Sequence, residues 1–298
     1  MNLKTVIRQL LRPSGPTPSQ PRVHLYTMCW NEERMLPFFF RHYDQWVDRY
    51  VIFDDGSSDA TLEILHAHPR VDVRQLIRTA PESFVLSAQA NHDSCWKESR
   101  GAADWVVITD VDEHLYHPEI TAYLMACKQS GVTVIPALGY NMVAEAFPQG
   151  EQRLCELVRH GVPAALVSKL SLFDPNCLAR TNFGVGRHSA EPRGKVRYPK
   201  EDRLLNLHFK SLGLEYFTAR NHLLETRRGA RDRANSWGYH YAWTVEKYAE
   251  TYAARHERSF DVIAAGDRAA IDHQEPRWWR PQRAAGWRRY TWVRRKSS

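Results

Sequence analysis

Apolar residues along the first 140 positions fall into short blocks separated by polar turns. "VHLYTMC" (23–29), "RYVIF" (49–53), "VDVRQLI" (71–77), "DWVVITD" (104–110) and "GVTVIPAL" (131–138) read as strands from their length and apolar content. Between them, "EERMLPFFFRHYDQW" (32–46), "DATLEILHAH" (59–68), residues 83–103 and "EITAYLMACKQ" (119–129) read as helices. Pro37 must lie in the first turn of its helix or kink it. Alternation of this kind predicts an α/β fold with a mostly parallel sheet covered on both faces. Past Gly139 the pattern fades, although "ALVSKLSLFD" (165–174) and "RLLNLHF" (203–209) read as strands and "TVEKYAETYAARHE" (244–257) as a helix. No internal repeat is present.

Composition changes this picture mainly at the ends. The 298 residues are 43% hydrophobic and 25% charged, which suits a soluble globular protein with a sizeable core. No apolar run approaches the ~20 residues that span a bilayer, and "MNLKTVIRQLLRPSG" lacks the apolar core of a signal peptide. The five cysteines (29, 95, 127, 155 and 177) are odd in number and never spaced as Cys-x-x-Cys. That argues against a disulfide framework or a zinc knuckle and points to a reducing cytoplasm. The net charge is +7, but residues 277–298 hold eight Arg or Lys, residues 1–22 hold four, and neither segment has an acid. Removing both leaves the body at −5. The expected organisation is a basic N-terminal arm (1–22), a main domain (23–225) and a helical, Trp/Arg-rich C-terminal extension (226–298). Trp278, Trp279, Trp287 and Trp292 among basic residues would either pack on the domain or lie on the anionic inner face of a membrane.

In sheets of this type ligands bind beyond the carboxyl ends of the strands. Three polar clusters fall there: Asn31-Glu32-Glu33, Asp54-Asp55-Gly56-Ser57-Ser58-Asp59, and Asp110-Val111-Asp112-Glu113. Alone, each has an ordinary explanation as a helix cap, a turn or a solvated strand end. Together at one edge they mark a site. Residues two apart on a strand point the same way, with Cα atoms ~6.6 Å apart, so Asp110 and Asp112 can address one cation. A divalent ion held by one or two carboxylates fills its remaining positions with water and substrate phosphates. Neither a G-x-x-x-x-G-K-[ST] loop nor a G-x-G-x-x-G turn after the first strand is present, which disfavours a Walker-type nucleotide site and a dinucleotide redox cofactor.

With "WNEE" after the first strand, "FFFRHYDQWVDRYVIFDDGSSDATLEIL", "ADWVVITDVDEHLYHP" and the later "LHFKSLGLEYF", the chain resembles the GT-A glycosyltransferases, specifically family-2-like enzymes of bacterial cell-surface synthesis. The first three motifs cover about residues 23 to 120. The resemblance implies a GT-A (Rossmann-like) fold and a metal-dependent transfer from a nucleotide-diphosphate sugar, taken as a UDP-sugar, to a glycan or lipid-linked acceptor. It implies that Asp110 and Asp112, as a D-x-D motif, hold Mn²⁺ or Mg²⁺ against the diphosphate, with His208 completing the shell. An imidazole among oxygens favours Mn²⁺. Asp55, with Asp54, is similar to the carboxylate that meets the nucleotide base, and Asn31 and Glu32 to the loop at ribose and base. Lys169 and Arg100 are candidates for offsetting phosphate charge, a strand-end lysine reaching solvent being the other reading of Lys169.

The chain departs from the pattern at the base that would deprotonate the acceptor in an inverting transfer. Glu201-Asp202 matches by letters but lies only six residues before His208. Glu145 in "YNMVAEAF" and His188 in "GVGRHSAE" are the alternatives, and the choice among Glu145, His188 and Asp202 stays open at this point. Two other functions compete. A sugar nucleotidyltransferase would open with a Gly-rich basic loop, which "TMCWNEER" is not. A non-catalytic polyanion binder would use the basic ends, but the body is acidic and no RNP-like sequence occurs.

Overall fold

The computed structural model describes residues 20–280. The N-terminal arm up to residue 19 and the tail from 281, with Trp287 and Trp292, lie outside the described residues. The chain adopts an α/β fold built on a ten-stranded mixed sheet.

One half of the sheet is parallel. β1 (Val23–Cys29), β2 (Arg49–Asp54), β3 (Val71–Gln75) and β4 (Trp105–Ile108) run side by side in the order β3-β2-β1-β4. Their connections contain α1 (Leu36–Tyr43), α2 (Thr61–Ala67) and α3 (Phe84–Ser94). α1 is shorter than its apolar pattern predicts, because Pro37 belongs in its first turn and the chain before Met35 is turn. Its Leu36, Phe39 and Tyr43 are wholly buried against the sheet. α3 ends at Ser94 and passes into a single tighter turn over Cys95–Ser99, so the helix expected to reach residue 103 stops early.

The other half is mostly antiparallel. After β5 (Glu113–Tyr116) and α4 (Ile120–Gln129) come β6 (Val134–Ala144), β7 (His160–Pro163), β8 (Lys169–Phe173) and a small separate pair of β9 (Leu178–Arg180) with β10 (Arg193–Gly194). β11 (Leu205–Leu212) lies between β5 and β6, parallel to β6. The C-terminal region contributes α5 (Leu214–Glu225), α6 (Val245–Arg258) and β12 (Phe260–Asp261), which pairs with β7. The region expected as a separate extension therefore adds a strand to the main sheet. Tyr252 of α6 donates to the Ala144 carbonyl at 2.6 Å, and Trp279 is buried in the core. The first two tail tryptophans thus pack on the domain, Trp278 against the same core. Among the described residues no helix is long and apolar enough to cross a membrane, and all five cysteines are free.

Two registers position the site. β4 pairs with β8 as Val106↔Phe173 and Val107↔Leu172, so continuing the antiparallel register sets Lys169 across from Asp110. In β11, His208 faces Glu113 of β5 on one side and Asn141 of β6 on the other.

Candidate active site

Just past β4 the chain presents Asp110, Asp112 and Glu113, whose charges must be balanced to coexist. Glu113 is wholly buried, and Lys169 and Arg187 are almost so. Lys169 Nζ donates to Glu113 Oε1 and, at 3.2 Å, to Asp110 Oδ2. Arg187 Nη2 donates to Glu113 Oε2 at 2.8 Å and lies 3.2 Å from Asp110 Oδ2, while its Nη1 donates to the Ile108 carbonyl at 2.7 Å. Burial alone would raise the Asp110 carboxyl, but Arg187 and then Lys169 hold it well below the usual range. Lys169 therefore neither waits in solvent nor stands free for phosphate. Asp110 shares its Oδ2 between these two cations, which leaves Oδ1 without a partner among the described residues.

Asp112 is balanced differently. Its Oδ2 lies 3.4 Å from His208 Nε2, and the Phe209 N–H donates to its carbonyl at 2.7 Å. Burial raises the Asp112 carboxyl, yet His208 by charge and hydrogen bond brings it down to about 2. On the far side of the ring, His208 Nδ1 is 3.0 Å from Asn141 Oδ1. Given to that oxygen, the Nδ1 proton leaves Nε2 facing a carboxylate lone pair, so a proton or a metal ion has to lie between them. Orientation of a ligating His by a second hydrogen bond is the usual support of a metal site. Among the described residues no three His, Cys, Asp or Glu side chains gather as a metal cage. A two-ligand pair open to phosphate and water nevertheless fits Mn²⁺ or Mg²⁺.

The β1 and β2 loops meet beside this pair and are tied to each other. Asn31, held at a φ of 51°, takes the Ser58 N–H on its side-chain oxygen at 2.8 Å, and its own N–H donates to Ser57 Oγ at 2.9 Å. Asp54 accepts from the Gly56 and Ser57 N–H groups at 2.9 and 3.1 Å, with Gly56 at a φ of 78°. Asp54 thus folds its own turn and does not face a ligand. Asp55 is gripped by Arg78, whose Nε donates at 2.7 Å, and by Arg227, whose guanidinium lies 4.1 Å from the centre of the Trp30 ring. Glu32 is paired with Arg220. Burial pushes its carboxyl up to about 8 against the pull of Arg220, with Asp112 and Asp110 adding to the rise.

Other expected residues separate cleanly. Arg100 precedes β4, at the end opposite the carboxylates, and donates to the Pro175, Leu178 and Ala179 carbonyls, so it does not reach the site. Asp202 is buried in a knot with Arg277, Arg280 and the Trp279 indole, which hold the tail to the domain. With both oxygens bonded to these groups, it is not free to act as a base. Glu145, exposed just after β6, has no ion-pair partner among the described residues and lies near Tyr252. His188 is exposed, and its Nδ1 bonds the Leu166 carbonyl, which puts the free lone pair on Nε2.

Sequence reasoning missed Arg187, Arg220, Arg227, Arg78, Lys210 and Arg255. Burial lowers Lys210 to about 8 against the pull of Asp112, and lowers Arg255 to about 10. Arg187 reaches its place through a tight turn in which it adopts a φ of 58°, and nothing in its neighbourhood of the chain signals that. Lys210 carried a signal, since it stands two residues from His208 on the same strand face.

No family model matches the chain. No curated protein matches it either. Among solved structures it is similar to residues 1–349 of TarS from S. aureus, at 12% identity over 69% of this chain and 64% of that one, with a TM-score of 0.36. A second TarS structure is similar at 11% identity over 79% of this chain and 43% of that one, TM-score 0.35. Glucosyl-3-phosphoglycerate synthase from Mycobacterium tuberculosis, crystallised with Mn²⁺, uridine diphosphate and glucosyl-3-phosphoglycerate, is similar at 20% identity over 40% of this chain and 44% of that one, TM-score 0.28. The chain thus spans less than two thirds of each. Function has to be argued from the site.

Proposed function

We propose that the protein is a glycosyltransferase that moves a sugar from a nucleotide diphosphate, UDP in the first instance, to an acceptor hydroxyl. The observation that carries this reading is the meeting of Asp112 and His208, from elements almost a hundred residues apart, at the edge where the β1 and β2 loops also end. The D-x-D and "DDGSSD" motifs, and the order in which they occur, support the same assignment.

In this reading Asp112 and His208 hold a divalent cation, with Asn141 orienting the imidazole. That ion would supply Lewis-acid stabilisation to the departing diphosphate. Lys169 and Arg187 pair with Asp110 and Glu113 and fix them, so the floor of the site needs no rearrangement during reaction. Glu145 takes the acceptor proton as its oxygen bonds the anomeric carbon, and the bond from that carbon to the phosphate oxygen breaks on the opposite face. The sugar configuration is therefore inverted.

The test is binding followed by turnover. UDP and a panel of UDP-sugars should raise the melting temperature only, or mainly, with Mn²⁺ present, since a ligand confined to the native state stabilises it. Asp112→Asn should abolish that Mn²⁺ dependence and slow donor hydrolysis by ~10²- to 10³-fold, the scale of losing one preorganised electrostatic group. Unchanged hydrolysis in a folded Asp112→Asn protein would remove the assignment.

A further inference from the structure

Two cations remain at the far end of the cleft after the donor side is accounted for. Lys210, two residues past His208 on β11, has its ammonium 4.6 Å from the centre of the Tyr241 ring and bonds no acceptor among the described residues. Arg255 of α6 donates once, to Ser211 Oγ at 2.6 Å, and rests over Phe217 at 5.2 Å. Neither has a carboxylate partner among the described residues. Five other cations differ: Lys169 and Arg187 share two carboxylates, Arg220 has Glu32, and Arg78 and Arg227 share Asp55.

Half-buried charges normally find a counterion, because desolvation is costly and a neutral ring compensates it only in part. Arg255 bonds Ser211, the residue that follows Lys210 on β11, so the two cations reach neighbouring positions of one strand. Two neighbouring cations with no ion-paired acid among the described residues make a ready place for an anion. Their position indicates which anion. Lys210 is on the strand that carries His208, and Arg255 is one helical turn from Tyr252, the neighbour of Glu145.

We propose that Lys210 and Arg255 form a subsite for a phosphate or carboxylate group carried by the acceptor. The proposal rests on reading the cleft as a nucleotide-sugar site and adds that the acceptor is anionic. An oxyanion there would complete the three ammonium donors and the guanidinium edge. It would also set the acceptor hydroxyl near Glu145.

The same chemistry could come from the departing nucleoside diphosphate, so the experiment separates the two. Inorganic phosphate is titrated by calorimetry into the full-length protein saturated with UDP and Mn²⁺, and UDP is titrated separately with Mn²⁺. Phosphate should bind the wild type. Lys210→Met and Arg255→Met should each weaken it about tenfold or more while leaving UDP affinity within about twofold. Lys210→Arg should keep phosphate binding, and the Met variants should melt no lower than wild type, because each removes an uncompensated charge. Phosphate affinity equal in wild type and both Met variants would overturn the subsite. So would a loss of UDP affinity as large as that of phosphate, which would give the cations to the diphosphate. A protein that binds no nucleotide, yet binds phosphate through Lys210 and Arg255, would overturn the transferase reading and keep the anion subsite.

Discussion

The two ends of the cleft balance charge in opposite ways. At the β1–β2 end the loop carboxylates have internal partners: Asp55 has Arg78 and Arg227, Glu32 has Arg220, and the Asn31 amide bridges to the serine loop. At the β11–α6 end Lys210, Arg255 and Glu145 are left open among the described residues. A ligand at the first end must displace a bond the protein already makes, so the net gain there is small and conformational change is expected. A ligand at the second end completes what the protein lacks. Between them, Glu113 and one oxygen of Asp110 are paired with Lys169 and Arg187, while Asp112 pairs with His208.

The largest effect should come from the open end. Glu145→Gln is expected to lower the rate of transfer by ~10²- to 10⁴-fold, the range for loss of a general base, with donor affinity retained. His188→Ala should have a smaller effect. If Glu145→Gln transfers at near wild-type rate and His188→Ala does not, the base belongs to the loop before β10, and the open end serves binding alone.

The paired floor should respond in stability. Lys169→Met leaves Glu113 buried with one cation fewer, and breaking a buried pair typically costs roughly 3–5 kcal/mol. Arg187→Met should cost a similar amount, and urea unfolding of each variant measures it. A loss below about 1 kcal/mol would mean the carboxylates are solvated, as for a surface pair. The contrast between floor and open end would then vanish.

How much of this was legible in the chain follows from the same contrast. The parallel half of the sheet could be read because short apolar strands alternate with helices, and the carboxylates at its edge could be read because they are contiguous in sequence. The antiparallel half hid itself. β5 begins inside the acidic cluster at Glu113, and β11 inserts between β5 and β6 from ninety residues away. Local periodicity carries no information on such pairing. The counterions were equally out of reach, since Arg187, Arg220 and Arg227 arrive from loops and helices whose approach is a tertiary fact. Asp202 misled because a Glu-Asp pair looks alike in sequence whether it serves chemistry or, as here, ties down Arg277 and Arg280.

Acidification should dismantle the paired side through the imidazoles beneath it. His42 and His114 stack at 4.7 Å in the core, and His92 lies under Arg187 and Asp110. Burial lowers His42 to about 4 and His92 to about 3, and holds His114 well below its ordinary value. Folded-state values below the unfolded one of about 6.5 mean the unfolded chain binds more protons, so stability is lost as pH falls from about 6.5 toward 4. At pH 5 each such imidazole should cost about 2 kcal/mol relative to pH 7. Equal urea midpoints at pH 7 and pH 5 would show that these rings reach water in the folded state.

The smallest expected effect bears most directly on the comparison. If Asp55 meets the nucleotide base, Arg227 is its competitor, because the guanidinium holds the carboxylate and covers Trp30. Arg78 reaches the same carboxylate through both Nε and Nη2, so removing Arg227 leaves Asp55 paired and the loop folded. Arg227→Met should therefore tighten UDP by a few-fold, corresponding to about 1 kcal/mol for a partly exposed ion pair, with little change in melting temperature. Asp55→Asn should weaken UDP in both backgrounds. The decisive measurement is calorimetric titration of UDP into wild type and Arg227→Met with Mn²⁺ present. Weaker binding in Arg227→Met would mean that the arginine itself touches the nucleotide. The paired end would then be assembled for the donor in its resting state, and it would differ from the open end only in carrying its own counterions.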